Sequence, residues 1–465
     1  MDDVAYYAHT TDLRQGTIPK FNLNGSDATG KDLPGFQNLT IYTFFAFGTG
    51  ATILKDAAKY GGFEDKNGNN LPDLVSEWDQ VNNLTGSAGA DGIPDTYFES
   101  NNADHMKDRL LATINSILRR SSSGTSASVL ASSSTGEGAL YQAFFFPSIV
   151  DANGEEVKWS GYVQGLFVDA FGNLREDTVQ DGKLILTDDY IVKTRYDAGS
   201  GNVLVDRYKD SDGDGKADLI DTNGDGTPDT ANPFDTVKLT ELKPIWEAGK
   251  QLALKDHATR KIWTWVDSNG NGLVDSGEQI EFKKSSPELG KLTPYLRGES
   301  SPSVLTTTNI IDFVRGCYDP SPSGPCPGSS SLRNRRLTVN GTLQVWKLGD
   351  PIHSTPTIVG SPRERYDVIY GDTSYSKFFQ AYRSRRNVAY AGANDGMLHA
   401  FNAGFYRRGD DKSTTSVIEH GRFTKSSGPD EGPDSPDNGT ALGEELWSFI
   451  PMELLPHLKW LAKTD

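Results

Sequence analysis

Asn387-Val-Ala-Tyr-Ala-Gly-Ala-Asn-Asp-Gly-Met-Leu-His-Ala-Phe-Asn-Ala-Gly404 is the stretch whose reading decides the fold. Small and apolar residues run up to Asp395-Gly396 and away from it, and Asp-Gly between two such runs is a strong hairpin signal. Gly443-Glu-Glu-Leu-Trp-Ser-Phe449 supplies a later aromatic strand, so the segment reads as a propeller-blade unit. Val345–Asp350, His353–Val359 and Asp367–Tyr370 read as further short strands separated by turns. A blade of about 40 to 45 residues cannot bury its faces alone, and about four are needed to close a ring. Residues 337–465 have room for about three, so the propeller is expected to be incomplete and the chain to be truncated.

Upstream, Asp267-Ser-Asn269-Gly-Asn271-Gly272-Leu273-Val-Asp275-Ser-Gly-Glu278 places oxygen side chains at positions 1, 3, 5, 9 and 12. Gly stands at position 6, and the Leu273 carbonyl is free to turn inward, which is the ligand pattern of an EF-hand calcium loop. A hard divalent cation needs six to eight oxygens at about 2.3–2.6 Å, and alternate residues of a tight loop converge to supply them. The same residue types also make a solvated turn, but a turn does not require an acid at position 12. Arg260–Val266 and Glu278–Phe282 read as strands, so the loop joins strands where an EF-hand joins helices. That predicts a static clamp of weak, extracellular-type affinity, on the order of 0.1 to 1 mM.

The pattern recurs. Asp210, Asp212, Asp214, Lys216 (through its carbonyl), Asp218 and Asp221 form one copy, and Asp221, Asn223, Asp225, Thr227 (carbonyl) and Asp229 form another that shares Asp221. Carboxylates this dense repel one another without a counter-ion, although a disordered acidic hinge would have the same composition. Asp65, Asn67, Asn69, Leu71 (carbonyl) and Asp73 repeat the spacing more weakly, with Ser76 at position 12, and Asp91-Gly-Ile-Pro-Asp95 resembles the tail of a broken copy. Calcium is the one cofactor these loops imply.

Composition sets the outer limits. A length of 465 residues allows two to four domains of ordinary size. Frequent Gly, Pro and aromatic residues favour short strands and turns, and the net charge of −17 excludes a nucleic-acid partner. No apolar run is long enough to span a membrane, and the N-terminal Met1-Asp-Asp-Val lacks the features of a signal peptide, so the chain is expected to be cytosolic or part of a longer exported protein. Cys317 and Cys326 lie close enough to close a loop in an oxidising compartment, and reduced thiols fit the sequence as well. No nucleophile is paired with a base: the seven His are scattered, and His353 and His399 read as packed or hydrogen-bonded residues.

Taken from its start, the chain is polar and turn-rich up to Gln37–Gly48, which reads as a buried strand, with a helix to follow over 51–60. Asp104–Arg120 places Met106, Leu110, Ile114 and Ile117 at helical spacing. The serine-rich residues 121–135 read as a linker. Leu140–Phe146 and Trp159–Val168 are strands, Asp169–Asn173 is a turn, and Leu239–Leu254 is a short interrupted helix. The fold class is therefore mainly β with an α/β N-terminal portion, a β middle region rich in calcium-type loops over 136–336, and an incomplete propeller over 337–465.

Leu348-Gly-Asp-Pro-Ile-His-Ser-Thr-Pro356 followed by Asn387–Phe401 resembles the entry to the C-terminal propeller of the PilC/PilY family of type IV pilus assembly and tip-adhesin proteins. Weaker similarity runs through Ile311–Gly316, Trp246–Gly249 and Asp169–Asp177, and Asp3–Tyr6, Thr11–Arg14 and Gln37–Gly48 are similar to the second half of a von Willebrand A-like domain, expected over 1–120. The resemblance implies an exported, pilus-associated cell-surface protein that promotes pilus assembly and adhesion with calcium, with pilins or minor pilins and a host or surface receptor as partners. On this resemblance the first half of the A-like domain and the rest of the propeller are expected to lie outside this sequence. Asp372-Thr-Ser374-Tyr-Ser376 matches the adhesion-site pattern Asp-x-Ser-x-Ser but lies in the propeller-like half and reads as coincidence. Two alternatives stay open: a quinoprotein-dehydrogenase-like propeller enzyme, suggested by Ala393–Gly404 with Trp447, and a secreted β protein that uses calcium only for stiffening.

Overall fold

The computed structural model describes residues 2–11, 13, 18–20, 28–30, 38–46, 51–80, 82–83, 89–100, 126–131, 138–150, 154–197, 202–220, 231–300, 303–318, 326, 332–362, 364–410, 418–425 and 439–463. The helix expected over 104–120 and the loop residues Asp221, Asn223, Asp225, Thr227 and Asp229 lie outside them. The chain divides into two compact units, Met1–Ser122 with Asp197–Asn202, and Ser123–Tyr196 with Val203–Asp465.

In the first unit, helix α1 (Asp2–Thr10) packs on α2 (Thr52–Gly62), and strands β1 (Thr43–Ala46) and β2 (Tyr97–Ser100) pair in parallel. The helix expected over 51–60 is thus present, and it lies in the connection between parallel strands, as an α/β arrangement requires. Small residues let the helices approach. Ala5, Ala57 and Ala58 are buried, together with Phe63, Tyr97 and Phe98. A one-turn helix, α3 (Val75–Trp78), follows the first acidic loop.

The second unit holds two large sheets. The first runs β10 (Asp235–Lys238), β9 (Asn202–Tyr208), β8 (Ile191–Asp197), β6 (Leu174–Arg175), β5 (Glu156–Val168), β4 (Gly138–Val150), β3 (Ser126–Ala131). Its centre is the long antiparallel hairpin β4–β5, whose expected apolar runs bury Tyr141, Phe144, Val163 and Phe167. Within the expected linker, residues 126–131 instead form β3, paired antiparallel with β4 from Ser126↔Ala143 to Ala131↔Gly138. A Ser/Ala-rich run has little apolar content of its own, and the edge of β4 supplies the backbone partners. Leu239–Leu254 splits into a single 3-10 turn, a short strand β11 (Trp246–Glu247) on β5 and helix α4 (Ala248–Leu254), capped by Glu247 accepting from the Gly249 and Lys250 amides. The Pro244 ring and this cap break the longer helix that periodicity suggested.

The second sheet runs β13 (Gln279–Glu281), β12 (Ile262–Trp265), β20 (Glu445–Phe449), β18 (Met397–Arg408), β17 (Asn387–Ala393), β16 (Thr357–Val359). The hairpin β17–β18 turns at Asp395-Gly396 with Ala393 opposite Met397, and Trp447 on β20 faces Ala400, as the blade reading expects. Strand β7 (Lys183–Ile185) and β19 (Glu419–Thr424) extend from the far end of β18. Beyond the blade-like four strands, β12 adds to β20 in parallel, so residues before and after position 336 share one sheet. Among the described residues no closed barrel or ring of blades is formed. The rest of this unit consists of α5 (Leu289–Leu296), α6 (Thr307–Arg315), the hairpin β14 (Arg336–Val339)–β15 (Thr342–Val345), the helices α7 (Tyr366–Ile369) and α8 (Thr373–Tyr382), and α9 (Leu458–Ala462). Asp367–Tyr370, read as a strand, is helix α7. Its β-branched residues misled, because no neighbouring edge is there to pair with them.

Candidate metal loops

Strands β12 and β13 pair antiparallel from Trp263↔Glu281 to Trp265↔Gln279, and the loop between them is folded by its own side chains. Asp267 Oδ1 accepts from the Gly270 and Asn271 amides and Oδ2 from Gly272. The Gly272 amide chiefly, with the other loop amides, holds the Asp267 carboxyl below its ordinary range. Gly272 has φ 73°, the left-handed conformation expected at position 6. The side chains at positions 3, 5 and 9 meet at one point: Asn269 Nδ2 and Asn271 Nδ2 both lie 2.7 Å from Asp275 Oδ2. The Asn269 and Asn271 side-chain oxygens accept from the Asn271 and Leu273 amides, so these residue types would serve a hard cation once both side chains give up those bonds and turn their oxygens toward Asp275. Glu278 is placed differently from a free bidentate arm. Its Oε1 accepts from Ser268 N (2.7 Å) and its Oε2 from Asp275 N (2.9 Å), leaving each oxygen only its remaining lone pair for a metal.

The loop from Asp65 repeats this frame with small shifts. Asp65 accepts from the Gly68, Asn69 and Asn70 amides, and Asn67 and Asn69 donate to the two oxygens of Asp73 at 2.9 Å each. The Asn67 contact chiefly holds the Asp73 carboxyl low. Asn70, at φ 57°, stands where Gly272 stands in the other loop. The closing acid is Glu77, 1% exposed, whose Oε1 accepts from Lys66 N and Oε2 from Leu74 N. Counting to position 12 finds Ser76 and misses Glu77. One extra residue before α3 moves the acid to position 13, and a buried Glu in the first turn of a helix is the signal that finds it.

Around Asp210 the arrangement changes. Asp210, Asp212 and Asp218 bring carboxylate oxygens within 4.8 Å of one another. Asp210 also accepts from Arg175, a fully buried guanidinium that binds Asp169 at 2.7 Å and the Leu186 and Asp189 carbonyls. Lys216 Nζ lies 2.8 Å from Asp214, and this contact chiefly lowers the Asp214 carboxyl. The fold thus supplies two cations of its own, Arg175 and Lys216, to a stretch expected to need a counter-ion. Asp218 takes the closing role, accepting from Ser211 N and Oγ.

The sequence also concealed a related frame from Asp177 to Asp189. Asp177 accepts from Asp181 N and Gly182 N, and Asp189 accepts from Thr178 N and Ile185 N, the same two loop positions that Glu278 grips. Burial pushes Asp177 up to about 6, with repulsion from Asp181 added, and Asp189 up to about 7, with repulsion from Asp177 and Asp181 added. Val179 and Ile185 occupy positions 3 and 9, so this donor set does not fit a metal, and the frame alone is not a metal signature. In the broken copy, Asp95 accepts from Gln80 N with both oxygens, and Asp79 accepts from Asp91 N and Gly92 N.

Other candidates resolve into structural roles. Cys317 and Cys326 are disulfide-bonded. Asp372 caps α8 by accepting from Ser374 N and Tyr375 N, which accounts for the Asp-x-Ser-x-Ser match. His399 is fully buried between Asp395 (3.0 Å) and Glu445 (2.9 Å), and Glu445 forks onto Arg260. Burial opposes the charge on His399, but the two carboxylates outweigh it and raise the imidazole to about 9. No helix among the described residues is long and apolar enough to cross a membrane.

No protein-family model matches the chain, and no solved structure matches it. Two curated proteins do. Over 96 residues, 20% of the chain, it is 35% identical to the type IV pilus biogenesis factor PilY1 homolog of Xylella fastidiosa (strain Temecula1 / ATCC 700964). Over 163 residues, 34% of the chain, it is 28% identical to the type IV pilus biogenesis factor PilY1 of Pseudomonas aeruginosa (strain UCBPP-PA14). The matched segments span 7% and 12% of those relatives' own lengths. In part of its length the chain is thus similar to type IV pilus biogenesis factors.

Proposed function

We propose that this chain is part of an exported, cell-surface protein of type IV pilus biogenesis, and that its Asp/Asn loops hold calcium as fixed clamps in support of pilus assembly and adhesion. Similarity to PilY1 proteins supports the pilus role. The observation that carries the calcium reading is the convergence of positions 3, 5 and 9 on Asp275 and, independently, on Asp73. Both loops are anchored at each end by a buried Glu, so a cation would lock a frame already built and open no groove. On this reading the chain acts by binding and not by catalysis, in keeping with the complete burial of His399 between two carboxylates. Pilins or minor pilins and a host or surface receptor are the partners on this reading, and the strands β16, β17, β18 and β20 are propeller-blade strands.

Calcium titration with calorimetry and thermal melting tests the metal. Millimolar calcium should raise the melting temperature, and Asp275→Ala combined with Asp73→Ala should abolish most of that rise. No change from micromolar to millimolar calcium would sink it. For the pilus role, deletion of the full-length gene should remove surface pili or attachment, and normal piliation and attachment would count against it.

A further inference from the structure

A cavity of about 420 Å³ opens where β5 meets the segment Leu348–Asp350, a volume in the range of small-molecule sites. Two backbone features build it. Trp159, on its wall, has φ 59° within β5, a left-handed conformation that a bulky residue adopts only where the surroundings impose it. Ser160 bridges to Gly349, and the backbones come so close that a Cβ on Gly161 would lie 1.9 Å from the Gly349 oxygen.

One cation on the cavity wall has no ion pair among the described residues. Among the buried arginines, Arg175 pairs with Asp169 and Asp210, Arg207 with Glu176, and Arg260 with Glu445, while Arg315 is spent on backbone carbonyls. Arg335, half-buried, lines the cavity and has none of these. It donates from Nη2 to the Phe313 carbonyl and lies 3.8 Å over the Phe313 ring, while its Nε is buried without a hydrogen bond and no carboxylate pairs with it among the described residues. Burial, with the like charge of Arg333 beside it, pushes the guanidinium down to about 9. Lys347, also on the wall, gives its ammonium to the Leu252 and Ala253 carbonyls at the end of α4. A buried charge is normally paired, so an unpaired guanidinium in an open cavity marks where an anion belongs. Asp350 and Asp395 on the same wall disfavour a dianion, although Asp395 is engaged by His399 and the Gly349 amide, and Trp159, Trp346 and Ile352 supply apolar surface.

We infer that this cavity binds a carboxylate carried on an apolar or aromatic body, with Arg335 taking the carboxylate and the two indoles covering the body. A free small acid and the C-terminal residue of a peptide offer the same chemistry. The test uses the purified chain in calorimetry and thermal melting with phenylacetate, phenylacetamide, inorganic phosphate, and a tripeptide ending in Phe as the free acid or the amide. Phenylacetate or the peptide acid should bind saturably and raise the melting temperature, and whichever binds tighter identifies the source, while both amides should fail. Arg335→Met should weaken binding by about tenfold or more, the loss expected for a charge-assisted bond, yet melt only slightly below the wild type without ligand, because it gives up the Phe313 carbonyl and ring contacts but no ion pair. Trp159→Gly suits the left-handed backbone and should fold while weakening binding of the aromatic body. Amides that bind as well as acids, tighter binding of phosphate, unchanged affinity in Arg335→Met, or no binding at millimolar acid would each overturn the assignment.

Discussion

Replacing Glu445 by Gln probes the buried cluster that joins β12, β18 and β20. The carboxylate accepts from Arg260 Nε and Nη2 at 2.8 Å each and from His399 Nδ1 at 2.9 Å, and all three side chains are buried. Burial alone would raise the Glu445 carboxyl, but the Arg260 guanidinium and His399 hold it well below the usual range. Gln keeps the shape, removes the charge and turns one oxygen into an NH2 that faces a donor. Arg260 then keeps one of its two side-chain acceptors, the remaining Gln oxygen, besides the backbone carbonyls of Val314 and Arg315 and a weak contact to the Met397 sulfur. Breaking one partner of a buried pair costs about 3–5 kcal/mol, and His399 recovers part by shedding its proton, which puts the expected loss at about 3 kcal/mol. Urea unfolding followed by tryptophan fluorescence should show a lower midpoint at unchanged slope. A loss under about 1 kcal/mol would refute the view that this cluster is a coupled buried ion network.

His399 gives a pH signature. Its folded pKa of about 9 exceeds the ordinary 6.5, so its contribution is complete below about 6.5 and is lost as pH rises through about 9, and the stability gap between wild type and His399→Gln should close over that window. Glu77→Gln should cost about 1–3 kcal/mol by leaving a buried amide group facing the Lys66 or Leu74 N–H, measurable as faster hydrogen exchange in the loop from Asp65. Gly161→Ala drives a methyl into the Gly349 carbonyl and should cost about 3 kcal/mol or more in thermal unfolding, since backbone on both sides has to move. Cys317→Ser with Cys326→Ser should cost up to about 3 kcal/mol in chemical unfolding on the chain-entropy account, and no loss would show that the closed loop is equally constrained without the bond.

What could be read from the sequence was whatever local chemistry determines. The Asp395-Gly396 hairpin follows from a two-residue turn between apolar runs, and the strands flanking Asp267 follow from Trp and β-branched residues on either side of it. The spacing of Asp267, Asn269, Asn271 and Asp275 was equally visible, because a loop held by its own side chains needs no distant partner. Glu77 escaped through a single-residue offset, and the frame at Asp177 escaped because its positions 3 and 9 are apolar. Arg175, Arg260 and Arg335 carry no local signal at all: whether an arginine is buried and with what it pairs is decided by chain segments far away. The same holds for β3, whose serine-rich sequence becomes a strand only because the β4 edge lies beside it.

The parallel pairing of β12 with β20 has a kinetic consequence. Ile262 sits opposite Ser448, and between them lie α5, α6, the β14–β15 hairpin and most of the blade-like strands. Closing so long a loop costs entropy before any contact repays it, and topologies dominated by such pairings fold slowly. A chain that emerges N-terminus first therefore holds the hairpin carrying the Asp267 loop with one edge open until the last strand arrives. Its refolding should show a slow phase whose rate does not respond to calcium, because the ligand loop is complete long before the sheet around it.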